Sequence, residues 1–158
     1  MSESYATGSV TSNGVHPYAG GLIGLNEGGS VSASYAAGSV SAADARGDVG
    51  GLIGQNQSSS ASASYSTGAV MSSSPATGGF VGKDTSPGGI ADAYWDTSTS
   101  GITNASKGAG KPFKDPGITG LTTTQLQTGL PAGFDPAIWA ENPNINGGLP
   151  YLIDNPPQ

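Results

Sequence analysis

The sequence predicts an all-β fold: a β-solenoid (β-helix) of about three to four coils, closed by a small C-terminal cap that contains a short helix. Three observations predict it. A seven-residue block recurs every 30 residues. A glycine-flanked apolar pair recurs in step with that block. Nothing in the repeats follows a 3.6-residue period.

The first block is Ser4-Tyr5-Ala6-Thr7-Gly8-Ser9-Val10. It returns from Ser34 to Val40 and from Ser64 to Val70, so Tyr5, Tyr35 and Tyr65 stand 30 residues apart. A degenerate fourth copy begins at Tyr94. The second block, Gly20-Gly21-Leu22-Ile23-Gly24, returns as Gly50-Gly51-Leu52-Ile53-Gly54. Its third copy, Gly78-Gly79-Phe80-Val81-Gly82, comes two residues early. Such length changes belong in loops.

Each repeat holds three short β-type runs bounded by Gly, Asn or Ser, in the first repeat around residues 5–11, 19–25 and 30–33. Three strands and three turns make one triangular coil, and coils stack ~4.8 Å apart. One coil offers Tyr5, Val10, Val15, Leu22, Ile23 and Val31 for burial. That is too little to offset the ordering of its backbone, so coils fold only against neighbours. Gly20-Gly21 suits a positive φ and a close backbone approach. Asn26, Asn56 and Asp84 suit a left-handed turn just past the strand. One Tyr ring per coil at one place reads as a buried stack. The solenoid is assigned to residues 1–101, with coils at 4–33, 34–63 and 64–93 and a partial coil at 94–101.

From Ile102 the pattern changes. Residues 102–120 are rich in Gly, Lys and Pro and read as a loop. Thr122 and Gln125 form a capping-box signal for a helix, with Leu121 and Leu126 at its staple positions and Gly129 placed to stop it. Asp135-Pro136 suits a second helical turn carrying Ile138 and Trp139. Residues 150–153 read as a last strand. Phe134, Ile138, Trp139, Leu149, Tyr151 and Leu152 are the densest apolar group in the chain. Residues 102–158 are therefore expected to fold over the last coil as a cap on its open edge. No comparable N-terminal cap is present, which leaves an open edge for homotypic end-to-end association.

Charged residues are only 10% of the 158, against ~25% in an ordinary domain. The net charge is −6, and five basic residues cannot build the positive stripe that nucleic acid needs. Anionic membranes are disfavoured for the same reason, and no apolar run is long enough to insert. With no Cys, no disulfide framework or thiolate metal site exists. Ser2-Glu3-Ser4 leads straight into a repeat with no signal peptide, so the start reads as a cut inside a longer polypeptide.

Candidate chemistry is sparse, and no catalytic, metal or cofactor site is assigned. His16 is the lone histidine and lacks partners for a triad or metal site. Asp92 and Asp96 flank Tyr94-Trp95 but read as turn or surface acids. Asp44, Asp48 and Asp84 miss calcium-loop spacing. Arg46-Gly47-Asp48 reads as an integrin-type tripeptide in a loop, a short motif with a high chance frequency. Tyr18 and Trp95 are the better-placed aromatics for ligand contact. Rows such as Ser30/Ser60, Ser32/Ser62 and Thr7/Ala37/Thr67 raise the minor alternative of an ice-binding face, but a regular Thr-x-Thr array is missing.

The pairing of Ser-Tyr-x-x-Gly-x-Val with Gly-Gly-Leu-Ile-Gly-x-Asn resembles the GLUG motif of filamentous-haemagglutinin-like adhesins. Gly21-Leu22-Ile23-Gly24 and Gly51-Leu52-Ile53-Gly54 match its core, and Phe80-Val81 departs conservatively. Residues 94–101, 120–126 and 149–152 resemble the closing elements that follow such repeats. The resemblance implies a β-helical stalk or surface segment of a secreted or bacterial cell-surface adhesin and does not imply a ligand; the expected partner is a host or cell-surface protein or glycan. The alternatives are a self-associating structural repeat and a non-catalytic stalk of a larger secreted enzyme.

Overall fold

The computed structural model describes residues 1–86, 88–112 and 114–157. The chain winds through β1 (Tyr5–Ala6), β2 (Val10–Ser12), β3 (Tyr18–Gly20) and β4 (Ile23–Glu27) in its first coil. The second holds β5 (Ser30–Ser32), β6 (Tyr35–Ala36), β7 (Val40–Ala42), β8 (Asp48–Gly50) and β9 (Ile53–Gln57). The third holds β10 (Ser60–Ser66), β11 (Val70–Ser72), β12 (Ala76–Gly78) and β13 (Val81–Asp84). Then come β14 (Ile90–Asp96), β15 (Ala109–Lys111) and β16 (Ile118–Leu121).

These strands stack into four parallel sheets. The first runs β1-β6-β10-β14-β16, the second β2-β7-β11, the third β3-β8-β12 and the fourth β4-β9-β13-β15. Register follows the repeat. Tyr5, Tyr35, Tyr65 and Tyr94 are neighbours, as are Val10, Val40 and Val70, and Ile23, Ile53, Val81 and Ala109. The two-residue shortening of the third repeat is absorbed between β11 and β12, and Ala76 still pairs with Asp48. The β-solenoid expected from the sequence is therefore the observed fold.

Three details differ from expectation. First, the coil has four sheets, because the runs at 5–11 and 19–25 each break at a glycine corner. The Gly-Gly pairs carry no positive φ; close approach alone requires glycine here. At Gly54 a Cβ would lie 2.6 Å from the Ala19 nitrogen and 2.8 Å from the Tyr18 carbonyl carbon, so the fourth sheet can press directly onto the third. Second, Asn26 and Asn56 lie in strands, and the left-handed turns fall at Gly28 and Ser58 instead. The Asn26 Nδ2 donates to Asn56 Oδ1 at 2.8 Å, and the Asn56 Nδ2 donates to Asp84 Oδ1 at 2.9 Å, forming a buried amide ladder along the axis. Third, Val15 is 71% exposed on the loop between β2 and β3, where no sheet faces it.

Three apolar clusters hold the stack. One lies between the first and fourth sheets and includes Leu52, Ile53, Phe80, Val81 and Trp95. A second, with Ala19, Val40, Val49 and Val70, lies between the second and third sheets. The third lies outside the coil, on the outer side of the first sheet. There Tyr5, Tyr35 and Tyr65 stack at 5.0 Å between ring centroids, against Phe134, Trp139 and Leu152.

The C-terminal segment with its short helix packs on this third cluster, and the solenoid extends past residue 101. The solenoid runs on to Leu121: β15 pairs with β13 and β16 with β14, so residues 102–120 include two coil strands. Ala109 and Ile118 continue the inward apolar rows, which the Gly- and Pro-rich composition concealed. The remaining segment does not cover the end. It turns through α1 (Thr123–Leu126) and runs back along the tyrosine ladder as a lateral strap. At its far end the Asn155 Nδ2 lies 3.5 Å from the Glu3 carbonyl oxygen in the first coil. The stacked tyrosine rings offer the strap an apolar face along the coil axis to bury against.

The capping box of α1 forms as expected: the Gln125 amide donates to Thr122 Oγ1 at 3.2 Å, and the Thr122 amide to Gln125 Oε1 at 2.8 Å. Leu121 and Leu126 join the same cluster. Asp135 makes a single turn, accepting from the Ala137 amide at 2.8 Å, and residues 135–139 form no helix, the next helical turn being the short 3-10 turn at Asn146–Gly148. The strap then forms its own antiparallel pair, β17 (Trp139–Ala140) with β18 (Tyr151–Leu152).

Candidate functional site

The Arg46-Gly47-Asp48 tripeptide is not displayed as a projecting loop. Arg46 folds back on Asp44, donating from Nε at 3.0 Å and Nη2 at 2.8 Å to its carboxylate. That side-chain hydrogen bonding holds the Asp44 carboxyl well below the usual range. Gly47 is buried against Pro17. Asp48 opens β8 between Tyr18 and Ala76 and is only 9% exposed. Burial pushes its carboxyl up, countered by the Lys83 and Lys111 ammonium groups. A strand position fixed by coil register cannot also present an exposed recognition carboxylate.

Trp95 is likewise unavailable to a ligand. It is wholly buried, in space cleared by Gly79, Gly108 and Gly120, where a Cβ would strike the indole. Tyr18 is different: its ring is 51% exposed on the outer side of the third sheet. Val15 and Leu25 are exposed with it, and Gly24 of the same strand as Leu25 packs on the Tyr18 backbone. His16 is exposed between Val15 and Tyr18. The first coil thus carries three exposed large apolar side chains, Val15, Tyr18 and Leu25. The aromatic member was legible in the sequence. Val15, apolar like a core residue, is exposed, and Leu25 is exposed in a strand whose Ile23 and Asn26 are partly or wholly buried.

The acids are spent on structure. Asp96 is wholly buried, accepting from the Ser98 amide at 2.7 Å and from the Thr123 hydroxyl, while Asp92 is exposed, so the two share no site. Asp84 ends the amide ladder and also accepts from the Ser86 amide at 3.0 Å. Burial raises its carboxyl, and the nearby Asp115 raises it further. Asp115 accepts from the Gly117 amide at 2.8 Å in a tight turn. Among the described residues, no three His, Asp or Glu side chains gather in a metal-binding group.

Where the fourth coil passes from β14 to β15 without strands in the second and third sheets, a groove of about 610 Å³ opens. Two of its hydroxyls are already used: Ser74 donates to the Gly47 carbonyl, and Thr77 to the Ser74 carbonyl at 2.7 Å. The second sheet shows short polar rows, with Ser39 donating to Ser9 at 2.9 Å and Ser41 to Thr11 at 3.2 Å. At the next coil these rows become Ala69 and Met71, which breaks the regular hydroxyl lattice an ice-binding face requires.

Comparison with known families matches the GLUG motif to residues 16–41. The match covers Tyr18 and Leu25, the first Gly-Gly-Leu-Ile-Gly block and the second Tyr block. No curated protein matches the chain, and neither does any solved structure. The fold and the motif together define a GLUG-bearing β-solenoid repeat module.

Proposed function

We propose that this module acts as a rigid attachment segment of a secreted or bacterial cell-surface adhesin, holding a host or cell-surface protein or glycan by contact and not by chemistry. The single observation that carries the reading is the exposure of the Tyr18 ring on the solenoid, with Val15 and Leu25 also exposed on the same coil. An exposed aromatic side chain is the usual nucleus of a contact surface. The stacked coils behind it supply stiffness, since each strand is hydrogen-bonded to its neighbours along the axis. The structural uses of Asp44, Asp84, Asp96 and Asp115 support a non-enzymatic role.

A glycan and extracellular-matrix array with the folded chain tests this, alongside Tyr18→Ala and Arg46→Ala. Specific binding lost in Tyr18→Ala and kept in Arg46→Ala is expected. Binding that survives Tyr18→Ala would move the contact elsewhere, and no binding to any surface would remove the attachment role.

A second reading has one observation in its favour. Strands β1 to β4 each have one unpaired edge, and the exposed Val15, Tyr18 and Leu25 lie on the same coil. End-to-end association through that edge would make the module a self-assembling structural repeat. Sedimentation showing monomer at high concentration would remove it.

A further inference from the structure

The strap is tied to the coil by side chains, because its strands pair only with each other. The Tyr65 hydroxyl donates to the Pro150 carbonyl at 2.6 Å, and the Tyr94 hydroxyl to the Ala132 carbonyl at 2.9 Å. The Asn146 carboxamide supplies one more tie and braces the strap, donating from Nδ2 to the Tyr65 hydroxyl at 2.9 Å and to the strap's own Pro150 carbonyl at 2.8 Å. Asn146 is followed by Gly147, and both have positive φ, at 51° and 63°. The Gly148 amide closes the turn on the Ile145 carbonyl at 2.9 Å, the backbone an Asn-Gly pair favours.

Asn-Gly is also the dipeptide most open to deamidation, because glycine leaves its own backbone nitrogen unshielded. We infer that Asn146-Gly147 is a modification site gated by strap docking, and that its conversion releases the strap irreversibly. In the reaction the Gly147 nitrogen gives up its proton to solvent and bonds to Asn146 Cγ. The Cγ–Nδ2 bond breaks and the nitrogen leaves as ammonia. Water then opens the succinimide to an aspartyl or isoaspartyl residue, so one water is consumed and one ammonia released.

The docked state blocks the first step. Attack requires the carboxamide carbon to swing onto the Gly147 nitrogen, and a carboxamide bonded to Tyr65 and Pro150 cannot do so. The product cannot re-dock as before. A carboxylate donates no hydrogen bond to the Pro150 carbonyl and would set a charge against it beside the buried Tyr65 ring. Release uncovers the stacked face of Tyr5, Tyr35 and Tyr65, turning a covered aromatic stripe into an exposed one.

The chain carries its own reference in Asn13-Gly14, which is exposed on the loop between β2 and β3. The full chain would be held at mildly alkaline pH and both sites followed by peptide mass mapping. Two hydrogen bonds of ordinary net strength predict conversion at Asn146 roughly thirtyfold slower than at Asn13. Tyr65→Phe, which keeps the ring and removes both hydroxyl ties, including one of the two bonds that hold the Asn146 carboxamide, should speed Asn146 severalfold and leave Asn13 unchanged. Asn146→Asp, a stand-in for the product, should show raised tyrosine exposure in near-ultraviolet spectra. Equal rates at the two sites in the native chain, or an Asn146 rate unmoved by Tyr65→Phe, would overturn the gating. An Asn146→Asp chain with its tyrosines still covered would overturn the release.

Discussion

Gly8, Gly38 and Gly68 occupy the same corner of successive coils, yet alanine should be tolerated at one and not at the others. A Cβ at Gly8 meets nothing within 4 Å. At Gly38 it would lie 2.5 Å from the Gly8 carbonyl carbon and 3.0 Å from the Thr7 oxygen. At Gly68 it would lie 2.6 Å from the Gly38 carbonyl carbon. Both sides of the clash are backbone held in the ladder, with the Val10 amide on the Ser39 carbonyl at 2.8 Å and the Ala37 amide on the Ala6 carbonyl at 2.9 Å. Overpacking of this kind costs ~3 kcal/mol. With a urea slope of ~2 kcal/mol per M, Gly38→Ala and Gly68→Ala should each lower the midpoint by ~1.5 M. Gly8→Ala should be neutral, or stabilising by ~0.5 kcal/mol through the unfolded chain. Urea melts followed by far-ultraviolet circular dichroism decide it. Equal midpoints for Gly8→Ala and Gly38→Ala would refute the coil-on-coil contact.

Two further outcomes follow from burial. Trp95→Ala should cost ~3–5 kcal/mol, since the wholly buried indole fills the space between the first and fourth sheets; a midpoint within error of the parent's would contradict its placement. Asp84 has a raised carboxyl, so as pH climbs past the ordinary 3.8 the unfolded chain ionises first and the folded chain loses stability until the raised value is passed. Asp84→Asn should therefore be more stable than the parent at pH 7, with the gap closing toward pH 4, and a variant less stable at pH 7 would reverse the sign.

The solenoid was legible because its evidence repeats. One Tyr block and one Gly-Leu-Ile-Gly block at 30-residue spacing fix register without any tertiary knowledge. The fourth sheet was not legible, because a strand broken by a glycine corner and a strand crossing it have the same composition. The amide ladder had a visible signal in Asn26 and Asn56 at coil spacing, but Asn is as common in left-handed turns, and only burial separates the two uses. Trp95 and Asp48 were misjudged for one reason: exposure in a solenoid is set by which coil lies above, and glycine content does not report that. The strap's apolar content was plain, whereas its direction depended on the tyrosine stack lying outside the coil.

A distance between Glu3 and Asn155 measures the path of that strap most directly. The chain has no Cys, so Glu3→Cys with Asn155→Cys gives two unique labelling positions. A strap lying along the ladder places spin labels there within one coil spacing, because Asn155 reaches the Glu3 carbonyl. A segment folded over the last coil would hold them roughly four coil spacings apart, about 19 Å or more, and that distance would contradict the lateral strap.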